Sequence, residues 1–180
     1  MPDSQDPNAS DLNSNDLDSS DGKASPETPA SPGLSHPGFQ EYQFNPIYME
    51  EGKASISLPY NEKFVGDKTT GSIHGGIITL LMDTAGGMCV MSTLKKIMVI
   101  ATLDLRMDYL RPTKRGMDIT AEVECYELTK NVAFVRGFAY EGEGDEREAV
   151  AHMTAAFMLN TQGPNFTEMN RFSAVSGGEK

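Results

Sequence analysis

Residues 74–93, HGGIITLLMDTAGGMCVMST, constrain the fold more than any other part of the chain. Ile77, Ile78, Leu80, Leu81, Met82, Ala85, Met88, Cys89, Val90 and Met91 fall on every side of a helical projection, so a helix here has no wet face. It belongs inside a protein or across a bilayer. Crossing a bilayer takes about 20 apolar residues. This run is a little short and carries Asp83 and the Gly86-Gly87 pair, so it predicts a buried central helix and no membrane span.

The flanking segments read as strands. In residues 52–59, Ala54, Ile56 and Leu58 alternate with Lys53, Ser55 and Ser57, the period of a half-buried strand. A loop with Gly66, Asp67 and Gly71 follows. Beyond the helix, residues 98–110 place Val99, Ala101, Leu103, Leu105, Met107 and Tyr109 on one face and Ile100, Thr102, Asp104, Arg106, Asp108 and Leu110 on the other. Residues 117–128 repeat the pattern with Ile119, Ala121, Val123 and Cys125. Residues 132–140 and 148–159 alternate more weakly, as strands covered on both faces do. The connections at 111–116, 129–131 and 141–147 are short, which predicts antiparallel neighbours.

Lengths narrow the fold. A thirteen-residue strand at ~3.3 Å per residue is ~43 Å long, whereas a helix of about eighteen residues is only ~27 Å. A long, twisted antiparallel sheet curled around one apolar helix, an α+β fold, satisfies both lengths. One edge of that sheet and part of its outer face stay uncovered, so self-association is expected.

The net charge of −11 over 180 residues is unevenly spread. Residues 1–38 hold seven acidic side chains against Lys23 alone, six of the eleven excess charges. Rich in Asp, Ser, Pro and Asn, this segment buries too little apolar surface to offset backbone ordering and reads as a disordered acidic extension. The domain is expected over residues 39–160, with 161–180 a tail. The acidic balance disfavours nucleic acid as a partner, because neutralising phosphates needs a concentrated basic face. The head lacks the basic start and apolar run of a secretory signal, and Cys89 and Cys125 lie in apolar runs without metal-ligand spacing. Reduced core thiols in the cytoplasm are the expectation. His36, His74 and His152 lack ligand spacing too, so no metal is expected.

Asp83 asks for a reason, since an ionised carboxylate inside an apolar helix is costly unless paired or opened to a pocket. His74-Gly75-Gly76 stands at the helix start, where unpaired N–H groups and the positive end of the helix dipole suit a carbonyl oxygen becoming negative. Eight residues separate Gly75 from Asp83, ~12 Å along one helix. Both cannot act on one carbonyl from the same helix. Two antiparallel helices in a two-fold dimer could bring the amide of one subunit beside the carboxylate of the other.

The strings HGGIITLLMDTAGG, with Asp nine positions after His, and TLDLRMDYLRPTKRGMDITAEV resemble the PaaI-type hotdog-fold acyl-CoA thioesterases of the 4-hydroxybenzoyl-CoA thioesterase superfamily, over about residues 40–160. The resemblance implies a sheet wrapped around a long helix, homodimers that join their sheets and often form homotetramers, and hydrolysis of an acyl-CoA to a carboxylic acid and coenzyme A. No cofactor is implied, coenzyme A being part of the substrate. Asp83 would be the nucleophile or general base. The Gly75 amide would polarise the thioester carbonyl across the dimer interface, His74 and Gly76 would shape that loop, and Thr102 would help position water. Several members carry Asn six positions before the His, where this chain has Lys68. That departure keeps a second reading, a non-catalytic acyl-CoA binding or sensing module on the same fold. Lys95, Lys96, Arg106, Arg111, Lys114 and Arg115 cluster within twenty-one residues and either bind the phosphates of coenzyme A or form a solvated mixed-charge surface. The acyl pocket is expected to draw on Met82, Met88, Met91, Phe134 and Phe157.

Overall fold

The apolar run forms one long helix, α2, at Gly75–Thr93, with His74 as its N-cap. The computed structural model describes residues 37–159, apart from 97 and 143, so nearly all of the acidic segment and the whole predicted tail lie outside the described residues. Before α2 come α1 (Pro37–Tyr42), β1 (Asn45–Glu50), β2 (Lys53–Leu58), β3 (Val65–Asp67) and β4 (Ser72–Ile73). After it come β5 (Ile100–Tyr109), β6 (Ile119–Leu128), β7 (Val132–Glu141) and β8 (Glu148–Leu159). Six of the strands make one antiparallel sheet in the order β1-β2-β6-β7-β8-β5, while β3 and β4 pair separately. The sheet curls around α2, the predicted hotdog arrangement.

The helix is less evenly buried than its composition implies. Ile78, Leu81, Met82, Ala85, Gly86, Met88, Cys89 and Val90 are buried. Ile77, Leu80, Asp83, Thr84, Gly87 and Met91 are only half-buried, and their spacing of three and four residues makes them one continuous stripe. That stripe is apolar apart from Asp83 and Thr84, so a hydropathy pattern cannot tell it from the core side. At the far end Ser92 Oγ and Thr93 Oγ1 donate to the carbonyls of Cys89 and Val90, and Ser92 Oγ accepts from Gly52 N–H at 3.0 Å. These bonds close the last turn and tie it to the β1–β2 connection.

One sequence expectation about connections needs correction. The connection at 111–116 does not join neighbours, because β5 pairs with β8, and β6 lies three strands away. Three strand spacings are ~14 Å, which nine residues, 110–118, reach easily. This segment runs across the strand ends. Leu110 N–H and Arg111 N–H donate to Val150 O at 2.9 and 3.4 Å, and Lys114 N–H donates to Glu141 Oε2 at 2.8 Å. Glu141 is 1% exposed for this reason: its carboxylate holds the crossing segment, with Lys114 Nζ 3.4 Å from Oε1. Within one subunit β7 and β8 are covered on one face only. Ala133, Val135, Gly137 and Ala139 are buried while Arg136 and Phe138 are exposed, because no described element covers the outer side.

Register in β5 carries the site. Thr102 pairs with Phe157 and Asp104 with Ala156, leaving Leu103 unpaired in a β-bulge and 51% exposed. One extra residue exchanges the two faces. Ile100 and Thr102 before the bulge, and Leu105, Met107 and Tyr109 after it, lie opposite Leu159, Phe157, Ala155, Met153 and Ala151 of β8. The unbroken alternation read from residues 98–110 is therefore replaced by two half-strands of opposite parity.

Small residues let helix and strands approach. A Cβ on Gly86 would lie 2.9 Å from Phe157 Cζ, and one on Gly137 would overlap the Glu122 carbonyl oxygen of β6. The first neighbour is the flexible end of a side chain, but the second is backbone. Gly137→Ala is accordingly expected to cost ~1–3 kcal/mol, read as a lower denaturant midpoint at unchanged slope; an unshifted midpoint would contradict this packing. Both cysteines are free thiols. Burial pushes the Cys89 thiol up to about 12, and desolvation also raises Cys125, so neither is a ready nucleophile at neutral pH.

Candidate active site

The start of α2 is built by His74. Its backbone is extended (φ −61°, ψ 131°) and its Nδ1 accepts from Gly76 N–H at 3.0 Å, satisfying one of the first-turn donors. With Nδ1 accepting, a neutral ring carries its proton on Nε2. The ring lies against Gly66, where a Cβ would sit 3.0–3.2 Å from His74 atoms. His74 N–H donates to Phe64 O at 2.8 Å, and His74 O accepts from Ile77 N–H at 2.9 Å. Gly76 N–H is thus spent inside the loop, whereas Gly75 N–H has no partner among the described residues and sits at the positive end of the helix. Of the two glycines, Gly75 presents the donor.

Asp83 lies two turns further on, in the half-buried stripe. Its Oδ1 accepts from Thr102 Oγ1 at 2.9 Å, and the Leu103 bulge turns Thr102 toward the helix. One carboxylate oxygen is oriented by the strand while the second has no described donor. The predicted residues therefore fall into two groups within one subunit, Asp83 with Thr102 and Gly75 with His74 and Gly76, separated by eight residues of α2.

Near the Gly75 end lies an open cavity of about 380 Å³ lined by Ser72, Ile73, Ile78, Tyr109, Pro112 and Arg111 among others. Its floor is held by Thr113, whose Oγ1 accepts from Ile73 N–H at 2.8 Å, and whose N–H donates to Ser72 Oγ at 3.1 Å. The preceding loop is similarly tied. Asp67 accepts from Thr69 N–H and Thr70 Oγ1, both at 2.9 Å, and these bonds, the Thr69 amide first, hold its carboxyl below the usual range. Arg115 packs on Gly71 and donates to Lys68 O at 2.8 Å and Glu62 Oε1 at 3.0 Å. Lys68 enters this loop through its carbonyl, and its side chain is exposed.

The basic cluster does not form one cationic patch. Arg106 pairs with Asp108, Arg111 with Glu148, Lys114 with Glu141 and Glu148, and Arg115 with Glu62. The Glu148 hydrogen bond raises Lys114, and the same bond lowers Glu148. Only Arg111 of the six lines the cavity beside Gly75. Among the residues expected at the acyl pocket, Met82, Met88 and Phe157 are buried and Met91 half-buried, but Phe134 lies against Tyr126, ring centroids 6.3 Å apart, on the opposite parity of β7 from the buried side chains.

Tyr109 and Thr79 escaped the sequence reading. Tyr109 registered as an apolar position in an alternation and as part of the string that carries the family resemblance, with no role of its own, yet its hydroxyl donates to Gly75 O at 2.8 Å and lies 2.6 Å from Thr79 Oγ1. Nothing in the spacing of residues thirty positions apart announces that contact.

An apolar helix wrapped by a six-stranded antiparallel sheet is the hotdog fold, and it carries an oriented carboxylate in mid-helix and a free amide at the helix start. Residues 70–148 match the thioesterase superfamily model, and the chain belongs to that superfamily. It is 32% identical over 122 residues to the medium/long-chain acyl-CoA thioesterase YigI of Salmonella typhimurium, covering 59% of this chain and 76% of that one. An esterase-named protein of Halobacterium salinarum is 38% identical over 86 residues, 46% of this chain and 57% of its own, so the match spans little more than half of that relative. The solved PaaI protein from the phenylacetic acid degradation operon of E. coli superposes with a TM-score of 0.62 at 19% identity, covering 69% of this chain and 85% of that one, a likeness of fold.

Proposed function

We propose that the protein hydrolyses acyl-CoA thioesters to a carboxylic acid and coenzyme A, with each active site assembled from two subunits. The observation that carries this reading is the pairing, on one helix, of a strand-oriented carboxylate at Asp83 and an unpartnered amide at Gly75, too far apart to share a substrate within one chain. A homodimer with the half-buried stripes of two α2 helices facing each other, antiparallel, removes the separation and covers Ile77, Leu80 and Met91. The exposed apolar side chains Tyr126, Phe138 and Met158 leave room for further association into a tetramer.

In this site the thioester carbonyl receives the Gly75 N–H, which strengthens as charge develops on oxygen. Asp83, with Thr102 holding Oδ1, either takes a proton from water as that water adds to the carbonyl carbon, or attacks the carbon itself to give an anhydride that water then opens. In both routes the C–S bond breaks and coenzyme A leaves as a thiolate. In the first, water supplies the new carboxylate oxygen and the proton held by Asp83 passes to the thiolate. In the second, Asp83 supplies that oxygen, water opens the anhydride at the Asp83 carbon to restore its carboxylate, and a proton released from that water neutralises the thiolate. His74 and Gly76 keep the loop in the shape that frees Gly75 N–H. No metal or cofactor has a part in this chemistry. Medium-chain or aromatic acyl groups are the substrates we propose, the medium-chain part supported by the name of YigI. Two free thiols suit a reducing compartment, and we place the protein in the cytoplasm.

The test is release of free thiol from a panel of short, medium, long and aromatic acyl-CoAs. Turnover on medium-chain or aromatic members supports the reading. Tight acyl-CoA binding without turnover across the panel would replace it with a binding or sensing module, the role that Lys68 in place of the family's Asn keeps in view.

A further inference from the structure

We propose that Tyr109 and Thr79 are positioning residues that lock the backbone on either side of Gly75, so that its amide is held in one direction before substrate arrives. This rests on the thioesterase reading above, in which that amide is the donor to the thioester oxygen.

Two peptide planes meet at the Cα of Gly75. The first carries the free N–H, and its carbonyl, His74 O, is held by Ile77 N–H at 2.9 Å and Ile78 N–H at 3.4 Å. The second plane carries Gly76 N–H, held by His74 Nδ1 at 3.0 Å, and Gly75 O, held by Tyr109 Oη at 2.8 Å. Only the two torsions between the planes, φ and ψ of Gly75, are left, and glycine restricts them less than any other residue. Hydrogen bonds at all three remaining corners supply the restraint that a side chain at 75 does not.

The hydroxyl contacts have a definite order. Tyr109 Oη, Thr79 Oγ1 and Gly75 O lie mutually within 2.6, 2.8 and 3.1 Å, but two hydroxyls bring only two protons. A carbonyl oxygen has two lone pairs, one of which takes the helical bond from the residue four positions on, Thr79. The other has two hydroxyls in reach, and we assign it to Tyr109, the nearer at 2.8 Å against 3.1 Å for Thr79 Oγ1. The Thr79 hydroxyl then donates to Tyr109 Oη across 2.6 Å, the shortest of the three contacts, and polarises the phenol toward Gly75.

An ordinary strand-to-helix tie would not need this placement. Tyr109 is 52% exposed, so phenylalanine would pack as well, and the polar atom it adds falls on the peptide next to the free first-turn N–H. The ring also explains the glycine. A Cβ at 75 would lie 3.1–3.3 Å from Cζ, Oη and Cε1 of Tyr109, so a side chain at 75 would push the ring back by a few tenths of an ångström and loosen the clamp. Tyr109 reaches the helix because the Leu103 bulge reverses the parity of β5, the same irregularity that turns Thr102 to Asp83. One bulge thus sets both halves of the site.

The experiment uses the full chain with Tyr109→Phe and Thr79→Val. Thiol release gives kcat and KM on an acyl-CoA that the wild type hydrolyses, and ¹H–¹⁵N spectra follow the Gly75 and Gly76 amides. Tyr109→Phe is expected to lower kcat about ten- to a hundredfold, with KM within about twofold and the thermal midpoint nearly unchanged, since an exposed hydrogen bond contributes little net stability. Thr79→Val has the smaller effect, being one bond removed. Both amides are expected to shift, and the bonded Gly76 amide to exchange faster. An unchanged kcat, a loss of rate accompanied by an equal rise in KM, or unmoved Gly75 and Gly76 amides overturns the proposal. A wild type without hydrolysis on any acyl-CoA overturns the thioesterase reading instead, and the amide spectra of Tyr109→Phe still decide whether the clamp exists.

Discussion

Asp83→Asn is expected to lower kcat by about a thousandfold while leaving acyl-CoA binding within a few-fold of wild type. The substitution is nearly isosteric, and the amide oxygen can still accept from Thr102 Oγ1, which bonds Oδ1 at 2.9 Å. What is lost is the ability to take a proton or to attack carbon. Because Asp83 is half-exposed and lies on a stripe rather than in the core, its neutralisation is not expected to destabilise the subunit. Rate and binding are therefore separable, by thiol release on one side and calorimetry with a non-hydrolysable analogue on the other. Asp83→Asn with more than a tenth of wild-type kcat would show that another group does the chemistry. Single-turnover hydrolysis in ¹⁸O water then distinguishes the two routes, since label enters the Asp83 carboxylate only if it is the nucleophile.

The second large effect is a recovery. Asp83→Asn homodimers lack the carboxylate in both sites, and Gly75→Pro homodimers lack the amide in both. Proline at the first helical position suits the helix, so Gly75→Pro removes the N–H without breaking α2, although its ring displaces Tyr109. In a mixed dimer one site receives Asp83 and Gly75 intact from opposite subunits, and the other receives neither. Random exchange of equal amounts makes half the dimers mixed, so about a quarter of the wild-type sites return. Activity rising from near zero to that level on mixing two inactive preparations is the expected result. No recovery, with exchange verified by native mass spectrometry, would mean that each site is built within one subunit and that the eight-residue separation has been misread.

How much of this was legible without coordinates varies by element. The central helix follows from its uninterrupted apolar run, and residues 74–93 predict Gly75–Thr93 to within one residue. Residues 148–159 match β8 at both ends, and 52–59 and 117–128 overlie β2 and β6. Pairing was less accessible. Short connections correctly joined β6 to β7 and β7 to β8, but the same rule set β5 beside β6, whereas its partner is β8. The segment that makes this possible is anchored by Glu141, whose burial no local pattern signals.

Within the site, Asp83 stood out because a carboxylate is anomalous in an apolar helix, and Gly75 because a glycine pair follows a capping histidine. Both are local signals. Tyr109 and Thr79 gave none, since a tyrosine in an alternating strand and a threonine in a helix are ordinary. The division between Gly75, which keeps its N–H free, and Gly76, which spends it on His74 Nδ1, likewise depends on side-chain direction.

The chain by itself determined one helix that must be wrapped, several strands apolar on one side, and a carboxylate and an amide too far apart to meet within one helix. These are properties of composition and of periods 3.6 and 2 along a continuous backbone. Tertiary structure decided the register. A bulge is one residue in a strand, it leaves the composition unchanged, and its location depends on pairing with a segment some fifty positions away. Yet it exchanges the faces of β5, sending Thr102 to Asp83 and Tyr109 to Gly75, because side-chain direction reverses with every single residue of shift.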